Sequence, residues 1–237
     1  MLDEALQQPD AASLSARYGH LAGEALLRPL IDEFQGRICL VSSFGAEAAV
    51  LLHMVAQVDK ATPVLFLDTQ KHFLETLAYR DRLVAQLGLS DVRSLAPDPA
   101  TVAARDPDGT LWQRNPDACC ALRKVVPLNR ALIGFSAWIS GRKRFHGGTR
   151  GALPVIEPDG PRVKLNPLAP WSAEQIACEF ETRGLPAHPL VEEGYRSIGC
   201  MPCTKPASSA DDPRSGRWAG FDKTECGIHE SWMSSSL

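Results

Sequence analysis

Short apolar runs in this chain alternate with longer stretches of helical spacing. Arg37 to Ser42 (RICLVS) is an apolar run opening into a small polar turn, which predicts a buried strand. From Ala46 to Gln57, residues Ala46, Ala49, Val50, His53, Met54 and Gln57 share one mostly apolar helical face. Pro63 to Leu67 (PVLFL) predicts a second strand, and Phe73 to Leu87 a helix that ends near Gly88. A third short strand is expected around Val92 to Leu95, and residues 97–118, rich in Pro and Asp, read as a loop. Cys119 to Leu132 predicts a further helix with a kink or boundary at Pro127. Ala137 to Ser140 reads as a strand leading into a basic loop, 141–151. Val155-Ile156 and Val163-Lys164-Leu165 flank Pro158-Asp159-Gly160 as a hairpin. Ser172 with Gln175 forms a capping box for a helix ending near Gly184. Strands alternating with helices indicate an α/β fold whose sheet is mainly parallel. Residues 1–206 read as a single domain, and 207–237, polar and glycine-containing, as a mobile C-terminal tail.

Composition narrows the class more than the function. The 237 residues are 44% hydrophobic and 22% charged, as in an ordinary soluble globular protein. A formal charge of −3 gives no global basic field, so no nucleic-acid partner is expected. Positive charge is local: Arg123-Lys124, Arg142-Lys143-Arg144 with Arg150, and Arg214 with Arg217. Such clusters suit small anions. No apolar run approaches a membrane span, so no membrane association is expected. The acidic opening Met1-Leu2-Asp3-Glu4 does not read as a signal peptide. Together with seven cysteines, this points to a reducing, cytoplasmic location.

Those cysteines carry the chemistry. Cys119-Cys120 and Cys200-Met201-Pro202-Cys203 are two close pairs able to give four thiolates to one metal centre. Structural zinc is the common use of thiolate sets, but zinc sites typically take two C-x₂₋₄-C loops. Adjacent cysteines chelate one ion awkwardly yet can reach two irons of a cubane, which favours an iron–sulfur cluster. Cys226, in Glu225-Cys226-Gly227-Ile228-His229, is left for chemistry, with Lys223, His229, Arg214 and Arg217 nearby to favour its thiolate. Cys39 and Cys178 read as core packing, and His53 as a core histidine. The turn Ser42-Ser43-Phe44-Gly45-Ala46-Glu47 lies between the first strand and first helix, where doubly wound folds bind ligands. It is neither a Walker loop nor a dinucleotide fingerprint. Leu67-Asp68-Thr69 ends the second strand on the same edge, and two polar strand ends together favour a nucleotide site.

From about Arg37 to His229 the chain resembles the assimilatory sulfonucleotide reductases, thioredoxin-dependent enzymes that reduce adenosine 5′-phosphosulfate (APS) or its 3′-phosphorylated form (PAPS). Ser43 to Glu47 resembles the family's phosphate loop, with Ser42, Ser43 and Phe44 as substrate-binding positions. Leu67, Asp68 and Thr69 resemble its adenosine-binding strand end. Ile139 to Arg142 through Thr149-Arg150 is similar to its arginine loop, and Arg214-Ser215-Gly216-Arg217-Trp218 to its anion-binding arginine pair. Glu225 to His229 matches the catalytic tail motif. Ala48 and Gln70 depart from the usual acidic residue and glycine.

The resemblance implies an adenine-nucleotide α-hydrolase-like fold, related to the ATP pyrophosphatases. Both cysteine pairs fit the branch that carries a 4Fe–4S cluster and generally uses APS. On this basis Cys119, Cys120, Cys200 and Cys203 hold the cluster, and Lys124 lies between cluster and substrate. Cys226 is the nucleophile, and His229 helps dock the tail. Cys226 attacks the sulfur, AMP leaves, and reduced thioredoxin frees sulfite from the S-sulfocysteine. PAPS reduction is the nearest rival. A pyrophosphatase-type enzyme and a zinc-stabilised binding module are more distant ones, and assembly into a homo-oligomer is left open.

Overall fold

A computed structural model describes residues 9–209 and 212–229. The opening Met1–Glu4 and two stretches of the expected tail, 210–211 and 230–237, lie outside the described residues. Six strands form one sheet in the order β3-β2-β1-β4-β6-β5: β1 (Ile38–Ser42), β2 (Val64–Phe66), β3 (Val92–Ser94), β4 (Ala137–Ile139), β5 (Ile156–Asp159) and β6 (Arg162–Leu165). All neighbours pair in parallel except β5 with β6, the expected hairpin, which pairs Ile156 with Leu165. The strands read as unbroken apolar runs because both faces are covered. Ile38, Leu40, Val64, Phe66 and Ile139 enter the larger core, whereas Cys39, Val41, Leu65, Leu67 and Trp138 enter a smaller one on the opposite face.

The larger core is covered by α2 (Gly23–Glu33), α3 (Ala48–Val58), α4 (Leu74–Leu87) and α9 (Ala173–Thr182). Helix α4 ends on Gly88 in the left-handed conformation, and the Ser172–Gln175 capping box at α9 is formed on both sides. Helix α2 and the preceding α1 (Ala11–Tyr18) lie before the first strand and were not anticipated. The stripe Leu26, Leu27, Leu30 and Ile31, buried throughout, is the signal that could have found α2.

Two expectations are overturned. Residues 97–118 are largely helical: α5 (Pro99–Arg105), α6 (Leu111–Arg114) and the start of α7 (Pro116–Cys120). Asp98 and Asn115 cap α5 and α7, and each is followed by a proline at the first helical position. The Asp-Pro and Asn-Pro pairs that suggested a loop are therefore helix starts. Cys178 is exposed, not core, because α9 turns Ile176 inward and carries residue 178 to the far side. Cys39 is buried as expected, and its thiol is pushed up by that burial. His53 is half-buried on α3, its pKa lowered by burial.

After α7 the chain continues as a π-helical turn, Ala121–Val125, and then α8 (Val126–Ala131). Pro127 supplies no amide hydrogen and crowds the carbonyl four residues back, and widening the turn relieves both. Leu128 and Leu132 cover the smaller core over β1 and β2, and from the tail Ile228 packs against the same core. Among the described residues, no helix is long and apolar enough to cross a membrane.

Candidate active site

Strand order reverses at β1, with β2 on one side and β4 on the other, which opens a crevice at their carboxyl ends. A cleft of about 200 Å³ occupies that place. Ser42 and Ser43 form its floor with Gly45, and Leu67 reaches it from the end of β2. Arg142 and Arg150 enter from the loop after β4, and Arg214 and Arg217 from the tail. Lys124, Cys200, Cys226 and His229 complete the meeting of segments distant in sequence.

Phe44, Asp68 and Thr69 are not on the cleft wall. Phe44 is fully buried, with its ring edge-on to Phe66 at 5.6 Å. Asp68 accepts the Gln70 amide at 3.0 Å. Thr69 is fully buried, and its hydroxyl lies 3.3 Å from Cys200 Sγ. Sequence reasoning missed several wall residues, among them His72, Trp138, Lys143 and His146.

The tail is folded back over the cleft. Thr204 bridges to Arg217, the Lys205 amide donates to Gly216 at 2.9 Å, and the Trp218 amide to Cys203 at 3.0 Å. A side chain at Gly216 would stand 2.0 Å from the Lys205 carbonyl, so only glycine permits this pairing. At Gly199 a Cβ would stand 2.3 Å from the Arg217 guanidinium, so a side chain there would displace that guanidinium. Trp218 is buried beneath Arg217, whose guanidinium carbon is 4.4 Å from the ring centroid. Lys223 pairs with Asp117 on α7. His229 stacks on Trp138 with centroids 5.8 Å apart and planes within 5°.

Positive charge dominates the cleft. Burial, with Arg150 close by, lowers the Arg214 pKa to about 10, and burial lowers that of Arg142. His229 is held well below the usual histidine range by burial and by Arg142, Lys164, Arg150 and Arg214, so its imidazole is neutral. Arg142 pairs with Glu157, and Arg150 with Glu225. The same surplus of cations favours an anionic ligand.

Cys119, Cys120, Cys200 and Cys203 line one small cavity beside the cleft, together with Lys124 and Trp218. All four are free thiols, and the charges on Cys119, Cys120 and Cys203 each couple to Cys200. Burial pushes those three thiols up to about 11. Burial opposes ionisation of Cys200 as well, but Lys124, Thr69 and Arg217 bring it down overall. Burial disfavours the Lys124 ammonium, whereas the charges of Cys200, Cys226 and Cys120 raise its pKa overall. Among the described residues, no three Cys, His, Asp or Glu side chains converge closely enough to hold a single ion. Thiolates arranged around a cavity suit a cubane, which takes one at each iron, better than a point ion. The donor set therefore fits the group the sequence suggested.

A family profile described as phosphoadenosine phosphosulfate reductase domain matches residues 37–206. A Mesorhizobium japonicum protein named adenosine 5′-phosphosulfate reductase is 53% identical over 96% of this chain and 90% of its own length. A Gloeobacter violaceus protein named phosphoadenosine 5′-phosphosulfate reductase is 44% identical, over 94% of this chain and 95% of its own. The crystal structure of phosphoadenylyl-sulfate (PAPS) reductase from Candida auris superposes with a TM-score of 0.70 at 26% identity, covering 86% of this chain and all of that one.

Proposed function

The chain belongs to the phosphoadenosine phosphosulfate reductase domain family, and on that premise we propose that it reduces adenosine 5′-phosphosulfate to sulfite and AMP in sulfate assimilation, with reduced thioredoxin as electron donor. The observation that carries the reading is the meeting of Cys226 with Lys124, Arg142, Arg214 and Arg217 around one cleft. The sulfonyl oxygens of the substrate repel an incoming thiolate, and cations fixed in a half-buried cleft offset that repulsion as the transition state forms. The Cys226 thiolate forms a bond to the sulfur while the bond from sulfur to the phosphate oxygen breaks. AMP leaves with that electron pair, and Cys226 carries the sulfo group.

A thioredoxin thiolate then attacks Cys226 Sγ and expels sulfite. Its second thiol releases Cys226, so the two electrons come from the dithiol. Within this reading, residues 207–237 are a catalytic tail that must lift to meet thioredoxin, while residues 1–206 form the nucleotide-binding body. A reducing compartment, the cytoplasm, keeps such thiols available.

Cys119, Cys120, Cys200 and Cys203 would hold a 4Fe–4S cluster. When bound, the cluster supplies a fixed charge near the substrate and ties distant segments together. Lys124 contacts both sides, since it lines the cleft and the cysteine cavity alike. PAPS as substrate is the second reading, favoured by the name of the Gloeobacter violaceus relative.

The test uses anaerobically purified protein supplied in turn with APS and PAPS, measuring sulfite release with reduced thioredoxin. Iron and acid-labile sulfide are determined on the same sample. The expected result is a higher specificity constant for APS, with four irons and four sulfides per chain. A higher constant for PAPS selects the second reading, and near-stoichiometric zinc without sulfide removes the cluster. Sulfite release that persists in Cys226→Ser overturns the mechanism.

A further inference from the structure

Arg150, expected from the sequence among the residues that grip substrate, has three of its five N–H donors engaged elsewhere. Its Nε and one terminal nitrogen donate to the two Glu225 oxygens at 2.6 and 2.8 Å, a bidentate pair. The other terminal nitrogen donates to His146 Nδ1 at 3.2 Å. His146 Nε2 lies 3.0 Å from Glu47 Oε2, which also receives Lys143 Nζ at 2.7 Å. These contacts fix the imidazole: its proton sits on Nε2 facing Glu47, leaving Nδ1 to accept from Arg150. A continuous chain of four side chains thus runs from the turn after β1 to the residue preceding Cys226. The Arg150 and Glu225 side chains are only 9% and 19% exposed, so the pair is weakly screened. Arg214 adds to it, 3.4 Å from Glu225 and donating to the Thr224 carbonyl at 2.7 Å.

We propose that Arg150 is a positioning residue that latches the tail: its fork grips Glu225 and thereby seats Cys226 over the cleft, with His146 and Glu47 holding the fork in place. The proposal rests on the reading of Cys226 as the nucleophile. The Nε edge of the guanidinium, one of the two edges that could embrace a sulfonyl or phosphate group, is occupied by the carboxylate. One peptide bond separates Glu225 from Cys226, so a shift of the first moves the second. Arg142, Arg214, Arg217 and Lys124 line the same cleft, Arg214 with one terminal nitrogen already committed to the tail.

The experiment compares wild-type holoenzyme with Glu225→Gln, Arg150→Glu and the charge-swapped double variant Arg150→Glu/Glu225→Arg. Three quantities are read: the AMP dissociation constant, the single-turnover rate of the sulfo adduct on Cys226, and the ligand-free rate of Cys226 alkylation by iodoacetamide, located by peptide mapping. Each single variant should slow adduct formation about tenfold or more and speed alkylation by a similar factor, while AMP affinity changes less than about twofold. The swap should restore much of both rates, which a merely structural defect or a lost substrate contact would not allow. AMP affinity that collapses in Arg150→Glu and stays low in the swap would make Arg150 a substrate-gripping residue and overturn the latch. Tighter AMP binding in Glu225→Gln would overturn it too, by making Glu225 a stand-in for the substrate's anion. If the wild type forms no adduct, the proposed function falls, whereas the alkylation rates still test the latch by themselves.

Discussion

Replacing Asp106 by Asn removes a single charge at a joint between the cysteine helix and the end of β2. Arg123 donates from Nε and one terminal nitrogen to Asp106 Oδ2 at 3.2 and 2.7 Å, and from the other to the Thr69 carbonyl at 3.0 Å. The two side chains are 5% and 0% exposed. Asp106 Oδ1 accepts the Leu111 amide at 2.8 Å, a bond that Asn can keep. The substitution therefore leaves shape and capping in place but strands the Arg123 guanidinium without a counter-ion. Breaking a buried pair from one side costs about 3–5 kcal/mol. Because Arg123 retains the Thr69 carbonyl, the lower end applies, and about 3 kcal/mol is a large share of the ~5–15 kcal/mol that holds a domain together. Urea unfolding with an unchanged slope measures it. Thr69 also touches Cys200 Sγ, so the iron-to-protein ratio should fall in parallel. The double variant Asp106→Leu/Arg123→Met, which removes both charges, should lose less stability than Asp106→Asn alone. A loss below about 1 kcal/mol in Asp106→Asn, or a double variant worse than the single, would refute the reasoning.

The pair just described shows where sequence stops being informative. Asp106 and Arg123 are seventeen positions apart. Asp106 lies in a segment whose prolines and aspartates resemble a loop, where only the caps at Asp98 and Asn115 reveal helices, and Arg123 lies in the helix expected after it. Strands were legible because residues such as Leu40 and Val41 are buried on opposite faces, which leaves an apolar run too short to be a helix. The two cysteine pairs stood out because each is close in sequence, and the fold brings all four side chains to one cavity. The tail was not: its composition is polar, and its anchors are single residues, Trp218, Ile228 and His229, which have no period. Its order is supplied by contacts across the fold, such as Arg150 to Glu225, 75 positions apart. Pairings of that separation leave no local trace. Thr69 lies just beyond the end of β2, but its hydroxyl meets Cys200 and it is not on the cleft wall.

Two further outcomes follow from packing around the cleft and beneath it. Trp138→Leu keeps an apolar core position but removes the stack under His229 and the 2.8 Å bond to Asp159, so adduct formation on Cys226 should slow by about two- to tenfold. An unchanged single-turnover rate would remove Trp138 from tail seating. His188→Gln should flatten the acid limb of the stability curve. The His188 ring is fully buried, accepts the Leu190 amide on Nδ1 at 3.2 Å, and lies 3.0 Å from the Thr76 hydroxyl through Nε2. Burial lowers its pKa from 6.5 to about 4, so between those values the unfolded chain binds a proton that the folded chain refuses. Stability from this group is whole above pH 6.5 and is lost as pH falls toward 4, by at most about 1.4 kcal/mol per unit. Chemical unfolding at a series of pH values reads the slope directly, and an equal slope in wild type and His188→Gln would show that another group governs acid lability.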